Sequence, residues 1–305
     1  MTLDELKALR RKKWRLDGAP VRTFEECASF LEQVGLCPMV PETVPGPAPT
    51  FLGAWAGSDA AALGARGAVP SGEAAGAESM ALRLVREGAA WEWPLDGSVL
   101  LIAASVFPFV SALAGDREGK QQPSWAAGQT LSKLSSDVWA EFTRATAPLN
   151  ESQLRQQFGS GVSEVALRRA IHELWRRFRI ARADCTAQAG NVWVRLSRSA
   201  PAAIKEAEGI SVTAALSALV SRYLEAVIAA EQGEVESFFS ILAAGSRVRE
   251  AIKALLIARE IATVQVGNRS MLQITPAVPA RDRTSRNERT IAPVPGVPGP
   301  RRHRA

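Results

Sequence analysis

Histidine is nearly missing from this 305-residue chain, which has only His172 and His303. Its three cysteines, Cys27, Cys37 and Cys185, stand far apart with no Cys-x-x-Cys pair. A zinc site needs about four clustered nitrogen or sulfur ligands, so neither a metal nor any other cofactor is expected. A hydrolytic triad needs a histidine beside its nucleophile; His172 lies in an arginine-rich stretch and His303 in a proline- and arginine-rich tail. Phosphate-binding Gly-x-x-x-x-Gly-Lys-Ser/Thr loops and the dinucleotide-binding glycine fingerprint are absent too. No stretch approaches the roughly 20 apolar residues that cross a bilayer; residues 99–114 come nearest, and Pro108 interrupts them. The charged N-terminus lacks the apolar core of a signal peptide. With unpaired thiols, these features lead us to expect a cytoplasmic, nucleoid-associated protein with no membrane contact.

What is present is arginine, alanine and helical periodicity. Lysine and arginine exceed aspartate and glutamate, for a net charge of +6, a balance that suits an anionic partner. Residues 163–197 carry the clearest pattern. Leu167, Ala170, Ile171, Leu174 and Phe178 recur at helical spacing, and Ser163 stands where a hydroxyl would cap the helix. Residues 180–183 and 192–196 read as strands joined by a small-residue turn. Preceded by helices over 134–145 and 150–158 and by the turn Gly159-Ser160-Gly161, this is the outline of a winged helix-turn-helix. On a helical wheel Arg169 and Arg176 lie opposite the apolar stripe, and Arg168, His172 and Arg179 lie on its shoulder. With Arg177, Arg182 and Arg195 they are the expected contacts to double-stranded DNA, because the planar guanidinium fork suits both phosphate and guanine. A solvated helix face with internal ion pairs is the competing reading.

The pattern recurs. Moving Leu167 onto Val248 also moves Ala170-Ile171 onto Ala251-Ile252, Leu174 onto Leu255 and Ile180 onto Ile261. Helices over 212–230, 234–243 and 246–259 and strands over 261–266 and 271–275 complete a second module. Its last helix carries Arg247, Arg249 and Lys253 but leaves Leu256, Ile257 and Ala258 outward, a face suited to packing on another domain, so that the module is expected to be mainly structural, or to a protein partner. The fold class expected is mainly α with short β wings, built from tandem winged helix-turn-helix modules. The segments are 1–57, an N-terminal helical or winged-helix-like module; 58–77, a flexible Gly/Ala-rich loop; 78–115, a small α/β part of the N-terminal module; 116–130, a linker; 131–198 and 199–275, the two winged helices; and 276–305, a disordered basic tail. Within the first, Thr23 caps a helix over 24–34, Gly35 ends it, and Trp55 is expected in a buried turn. The cluster Arg10, Arg11, Lys12, Lys13 and Arg15 around Trp14 is a second possible DNA contact, against the reading that Trp14 anchors a core.

The order Arg10–Asp17, then Thr23–Pro41, then Pro49–Trp55, then two modules, resembles the AlkZ-related proteins, relatives of bacterial crosslink-repair DNA glycosylases. That resemblance implies tandem winged helices, DNA association and a Gln-x-Gln or Gln-x-Asp motif just after the second helix. The matching stretch here, Gly35-Leu36-Cys37-Pro38-Met39-Val40, has neither glutamine nor carboxylate. Base excision needs a polar group to place water and stabilise the sugar cation. The expectation is therefore a non-catalytic DNA-binding protein of repair or transcription regulation. The alternatives are a glycosylase acting on alkylated or crosslinked DNA, and a winged-helix protein-interaction module.

Overall fold

A computed structural model describes residues 1–41, 43–59, 71–121, 123–125, 128–186 and 188–276. Most of the expected flexible loop and nearly all of the expected tail lie outside the described residues.

The chain is mainly helical with three small sheets. The N-terminal part holds α1 (Leu3–Lys13), α2 (Phe24–Val34), β1 (Leu36–Pro38), α3 (Phe51–Ala56), α4 (Ser71–Arg86), β2 (Ala90–Leu95), β3 (Ser98–Ala103) and α5 (Phe107–Ala114). Thr23 caps α2 as expected, with Glu26 returning the bond to the Thr23 N–H. Gly35 ends it at φ 74°, and a Cβ there would fall 2.4 Å from Arg222 Cγ. Gly35 therefore serves both the turn and a close approach. The strands form an antiparallel sheet in the order β1-β3-β2, closed by the expected Asp96-Gly97 turn. Two details differ from the reading of the sequence. Helix α4 begins at Ser71, inside the stretch read as flexible, because its alanines favour helix. Trp55 is half-buried, not buried, with the Arg22 guanidinium 4.8 Å above its ring.

The middle part is α6 (Lys133–Arg144), β4 (Leu149–Asn150), α7 (Glu151–Phe158), α8 (Glu164–Arg176), β5 (Ile180–Thr186) and β6 (Gly190–Arg195), with sheet order β4-β6-β5. Asn150 and Ser163 cap α7 and α8. Two short helices that the sequence pattern did not single out, α9 (Leu196–Ser199) and α10 (Pro201–Glu208), lead to α11 (Val212–Val227), α12 (Gln232–Phe239), α13 (Gly245–Ile257) and the hairpin of β7 (Ile261–Val266) and β8 (Arg269–Ile274).

The internal repeat extends to the backbone. The displacement that carries Leu167 onto Val248 carries Leu149 onto Ala230, which bridges Leu272 much as Leu149 pairs with Trp193. It also carries Phe178 onto Arg259, and both are left-handed, at φ 53° and 59°. Each closes its helix with the same pair of bonds: Phe178 N–H to Trp175 O and Arg179 N–H to Leu174 O, then Arg259 N–H to Leu256 O and Glu260 N–H to Leu255 O.

The cores do not follow chain order. One continuous cluster joins the N-terminal part to the C-terminal part, with Phe30, Leu101 and Phe107 in contact through it with Leu219, Tyr223 and Phe239. The middle part keeps its own core of Val138, Phe142, Leu154, Leu167, Ile171, Leu174 and Trp193. A third, smaller cluster seats Leu6 of α1 on Val266 and Met271 of the last hairpin. No single described helix is long and apolar enough to cross a membrane.

Candidate nucleic-acid interface

Helix α8 forms where its apolar stripe predicted. Leu167, Ala170, Ile171 and Leu174 are buried, and the stripe faces α6 and the β4-β6-β5 sheet. The outward face then divides along its length, and the two halves do different things.

The N-terminal half is open. Arg168 and Arg169 are exposed, and Arg169 makes no ion pair among the described residues. Arg168 reaches Glu164 at 2.6 Å and Glu151 at 3.5 Å, pairs worth little in water and easily exchanged for phosphate. Val165 is 62% exposed on the same turns, an apolar side chain outside the expected set of cations, although its position opposite the stripe marks it as outward. His172 is half-buried with its ring edge-on to Trp175. Burial, and then the Arg176 charge, lower its pKa from the ordinary imidazole value, so it is neutral at pH 7.

The C-terminal half is turned inward, against expectation. Arg176 stacks on Trp125 at 4.4 Å and on Trp93 at 5.2 Å, and its carbonyl accepts the Trp93 indole N–H at 2.8 Å. Arg177 is 5% exposed, 3.8 Å from Asp116, and donates to Gln129 O. Arg179 is 8% exposed and donates through Nε to both Asp116 oxygens, at 3.0 and 2.9 Å. Arg182 grips Glu92 of β2 with two bonds; burial opposes its charge, yet the Glu92 charge and those bonds hold its pKa above the ordinary value. Arg195 pairs with Glu118 at 2.9 Å and, like Arg179, lies over Trp139. These five side chains fasten the middle part to its neighbours and are not free to meet a phosphate. The stretch read as a linker provides four of the partners, Asp116, Glu118, Trp125 and Gln129. Glu173 is also engaged, since its carboxylate accepts Ser135 Oγ–H at 2.5 Å and the Ser132 N–H at the start of α6.

The N-terminal basic cluster is likewise mostly occupied. Helix α11 ends with carbonyls that have no partner in the helix. Lys13 donates to Glu225 O, the Trp14 indole to Ala226 O at 2.9 Å, and Arg10 to Val227 O at 2.9 Å and Ala229 O at 2.5 Å. The cations also meet the negative end of the helix dipole. Burial lowers the pKa of both Arg10 and Lys13. Arg11 pairs with Asp59 and donates to Leu16 O; Arg15 is half-buried, and Lys12 is exposed. Trp14 is half-buried as a cap.

The stretch matching the glycosylase motif is strand β1. Leu36, Cys37 and Pro38 are buried against β3, and burial pushes the Cys37 thiol pKa well above its ordinary value. At the end of that strand Met39 and Val40 line a cavity of about 450 Å³. Glu78, Ser79, Ser98 and the Glu92–Arg182 pair share its wall.

A family profile described as "DNA glycosylase AlkZ-like" matches residues 58–295. The chain belongs to the AlkZ-like family. No curated protein matches it. Among solved structures it is similar to the Streptomyces sahachiroi DNA glycosylase AlkZ, with a TM-score of 0.58 and 14% identity over 90% of this chain and 70% of that one. At that identity the likeness is one of fold. Within this AlkZ-like fold, the outward cations lie on the first turns of α8, and the buried strand β1 carries no glutamine.

Proposed function

We propose that this AlkZ-like protein binds double-stranded DNA through its middle module, that both modules are winged helices, and that the protein acts in repair or regulation without excising a base. The division of α8 carries the reading. A recognition helix contacts base edges through its N-terminal turns, and those are the turns that keep Arg168, Arg169, His172 and Val165 outward. Arg169 is free for phosphate or guanine, and Val165 can meet a thymine methyl. The absence of a polar side chain on β1 supports binding without excision. The test is an anisotropy titration of a labelled duplex across salt concentrations. Binding that weakens steeply with salt, and weakens further in Arg168→Ala/Arg169→Ala, is expected; no salt-dependent binding to any duplex would overturn the reading.

The cavity beside β1 favours a second reading, a glycosylase whose carboxylate comes from Glu78 of α4. Incubation with alkylated or crosslinked duplex followed by alkaline cleavage decides it. Abasic product that disappears in Glu78→Gln would establish this reading, and no product at stoichiometric protein would support the first. A third reading, a protein partner on the C-terminal module, draws on Ile257, which is 74% exposed on α13, while Arg247 and Arg249, near the start of the same helix, are paired with Glu250 and Glu236.

A further inference from the structure

Between α8 and the β5–β6 hairpin lies an open groove of about 330 Å³. Its aromatic wall is the half-buried Trp175 packed edge-on against the buried Trp193, with ring centroids 4.9 Å apart at 66°. His172 extends that wall edge-on to Trp175 at 6.4 Å. Arg168, Glu151 and Asn191 line the rest, with the Asn191 amide held by Glu151 at 3.3 Å. The two indole N–H groups of this wall are buried and have no acceptor among the described residues, a costly state for a buried donor. A duplex laid along α8 meets phosphates and base edges. It has no use for an indole ring flanked by an amide, a carboxylate and a neutral imidazole.

We propose that this groove receives an unpaired nucleobase, stacked on Trp175 with its polar edge toward Asn191, Glu151 and His172. A base has an apolar face for the first and in-plane donors and acceptors for the second, and stacking of this kind accepts any base. The neutral imidazole suits the role because it offers one donor and one acceptor in its plane. The inference rests on the DNA-binding reading and deepens it: the module reads a local break in pairing as well as the duplex. Arg168, which lines the groove, and Arg169, the next residue of α8, hold the flanking backbone.

The experiment compares a fully paired duplex with one of equal length carrying a single extrahelical thymine, by anisotropy, in the full-length chain. Its readout is the ratio of the two affinities, so a general loss of duplex binding cancels. The wild type is expected to favour the bulged duplex by about tenfold. Trp175→Leu and Asn191→Ala should bring that ratio close to one, while Trp175→Phe, which keeps a stacking face, should retain most of it. If Trp175→Leu does not fold, Asn191→Ala and Trp175→Phe decide alone. Equal affinity of the wild type for both duplexes, with salt-dependent binding intact, would overturn the groove and leave the DNA reading standing. So would a ratio unchanged in Asn191→Ala and Trp175→Leu. Failure to bind either duplex would remove the DNA reading, and the groove with it.

Discussion

Arg179 and Asp116 face each other in the interior, with the guanidinium Nε shared between both carboxylate oxygens. The pair is made possible by Phe178, whose left-handed backbone reverses the chain after α8 and places its own ring edge-on against Phe107 at 5.3 Å. Asp116 is 2% exposed and Arg177 is its second cation. Asp116→Ala leaves the buried Arg179 guanidinium without its carboxylate and Arg177 with only Glu173 at 3.9 Å, and is expected to lower stability by about 3–5 kcal/mol. Urea unfolding followed by tryptophan fluorescence measures it; a loss under about 1 kcal/mol would show that water replaces the carboxylate.

If Arg10 and Lys13 cap α11, their loss acts on stability and not on DNA. Arg10→Ala is expected to cost about 1–2 kcal/mol, from its bonds to Val227 O at the helix end and Ala229 O just beyond it, and from its place at the negative helix end. Duplex affinity should stay within about twofold of wild type, since loss of one phosphate contact would reduce the salt slope by roughly one. A reduced salt slope in Arg10→Ala would return this cluster to the DNA interface.

Arg169→Ala is expected to do the reverse. It should reduce the slope of log affinity against log salt by about one, and leave the unfolding midpoint nearly unchanged because the side chain is exposed. An unchanged slope would show that Arg169 does not meet a phosphate.

The three thiols should divide one to two. Cys185 is exposed, whereas Cys27 and Cys37 are buried. Burial, and then Glu26 nearby, push the Cys27 pKa up to about 12. A thiol-specific chromogenic reagent at pH 8 should therefore modify one cysteine quickly and the other two only on unfolding. Two fast equivalents would mean that the N-terminal core opens.

His172 should titrate below the ordinary imidazole range. Its folded pKa is lowered by burial and by Arg176, with Asp96 opposing. The unfolded chain therefore binds the proton more readily, and stability drops as pH falls from about 6.5 through the lowered folded value. The imidazole proton resonance followed against pH tests the midpoint. An ordinary midpoint would place His172 in water.

Much of the fold was legible because local rules decided it. Thr23 and Gly35 bounded α2, Ser163 and the Leu167–Leu174 stripe defined α8, and Asp-Gly closed the β2–β3 hairpin. The helices over 196–208 were missed because this alanine- and serine-rich stretch has few large apolar residues to set a period. The site was legible only in part, for a geometric reason. A helical wheel shows which side of α8 avoids its own core, and Arg168 and Arg176 both do. It does not show that another part of the chain covers one end. Trp93, Trp125, Asp116 and Glu92 come from residues far away in sequence, so their claim on Arg176, Arg177, Arg179 and Arg182 left no local signal.

The core shared by the first and last parts of the chain bears on how the protein is made. On a ribosome the apolar faces of α2 and α5 emerge early, but their partners in α11 and α12 arrive more than a hundred residues later. The middle module draws its core from one contiguous stretch and can close by itself in the interval. Loops spanning that distance close slowly, so the N-terminal sheet waits with its apolar side uncovered. A truncation before α11 should give an aggregation-prone chain that still contains a folded middle module.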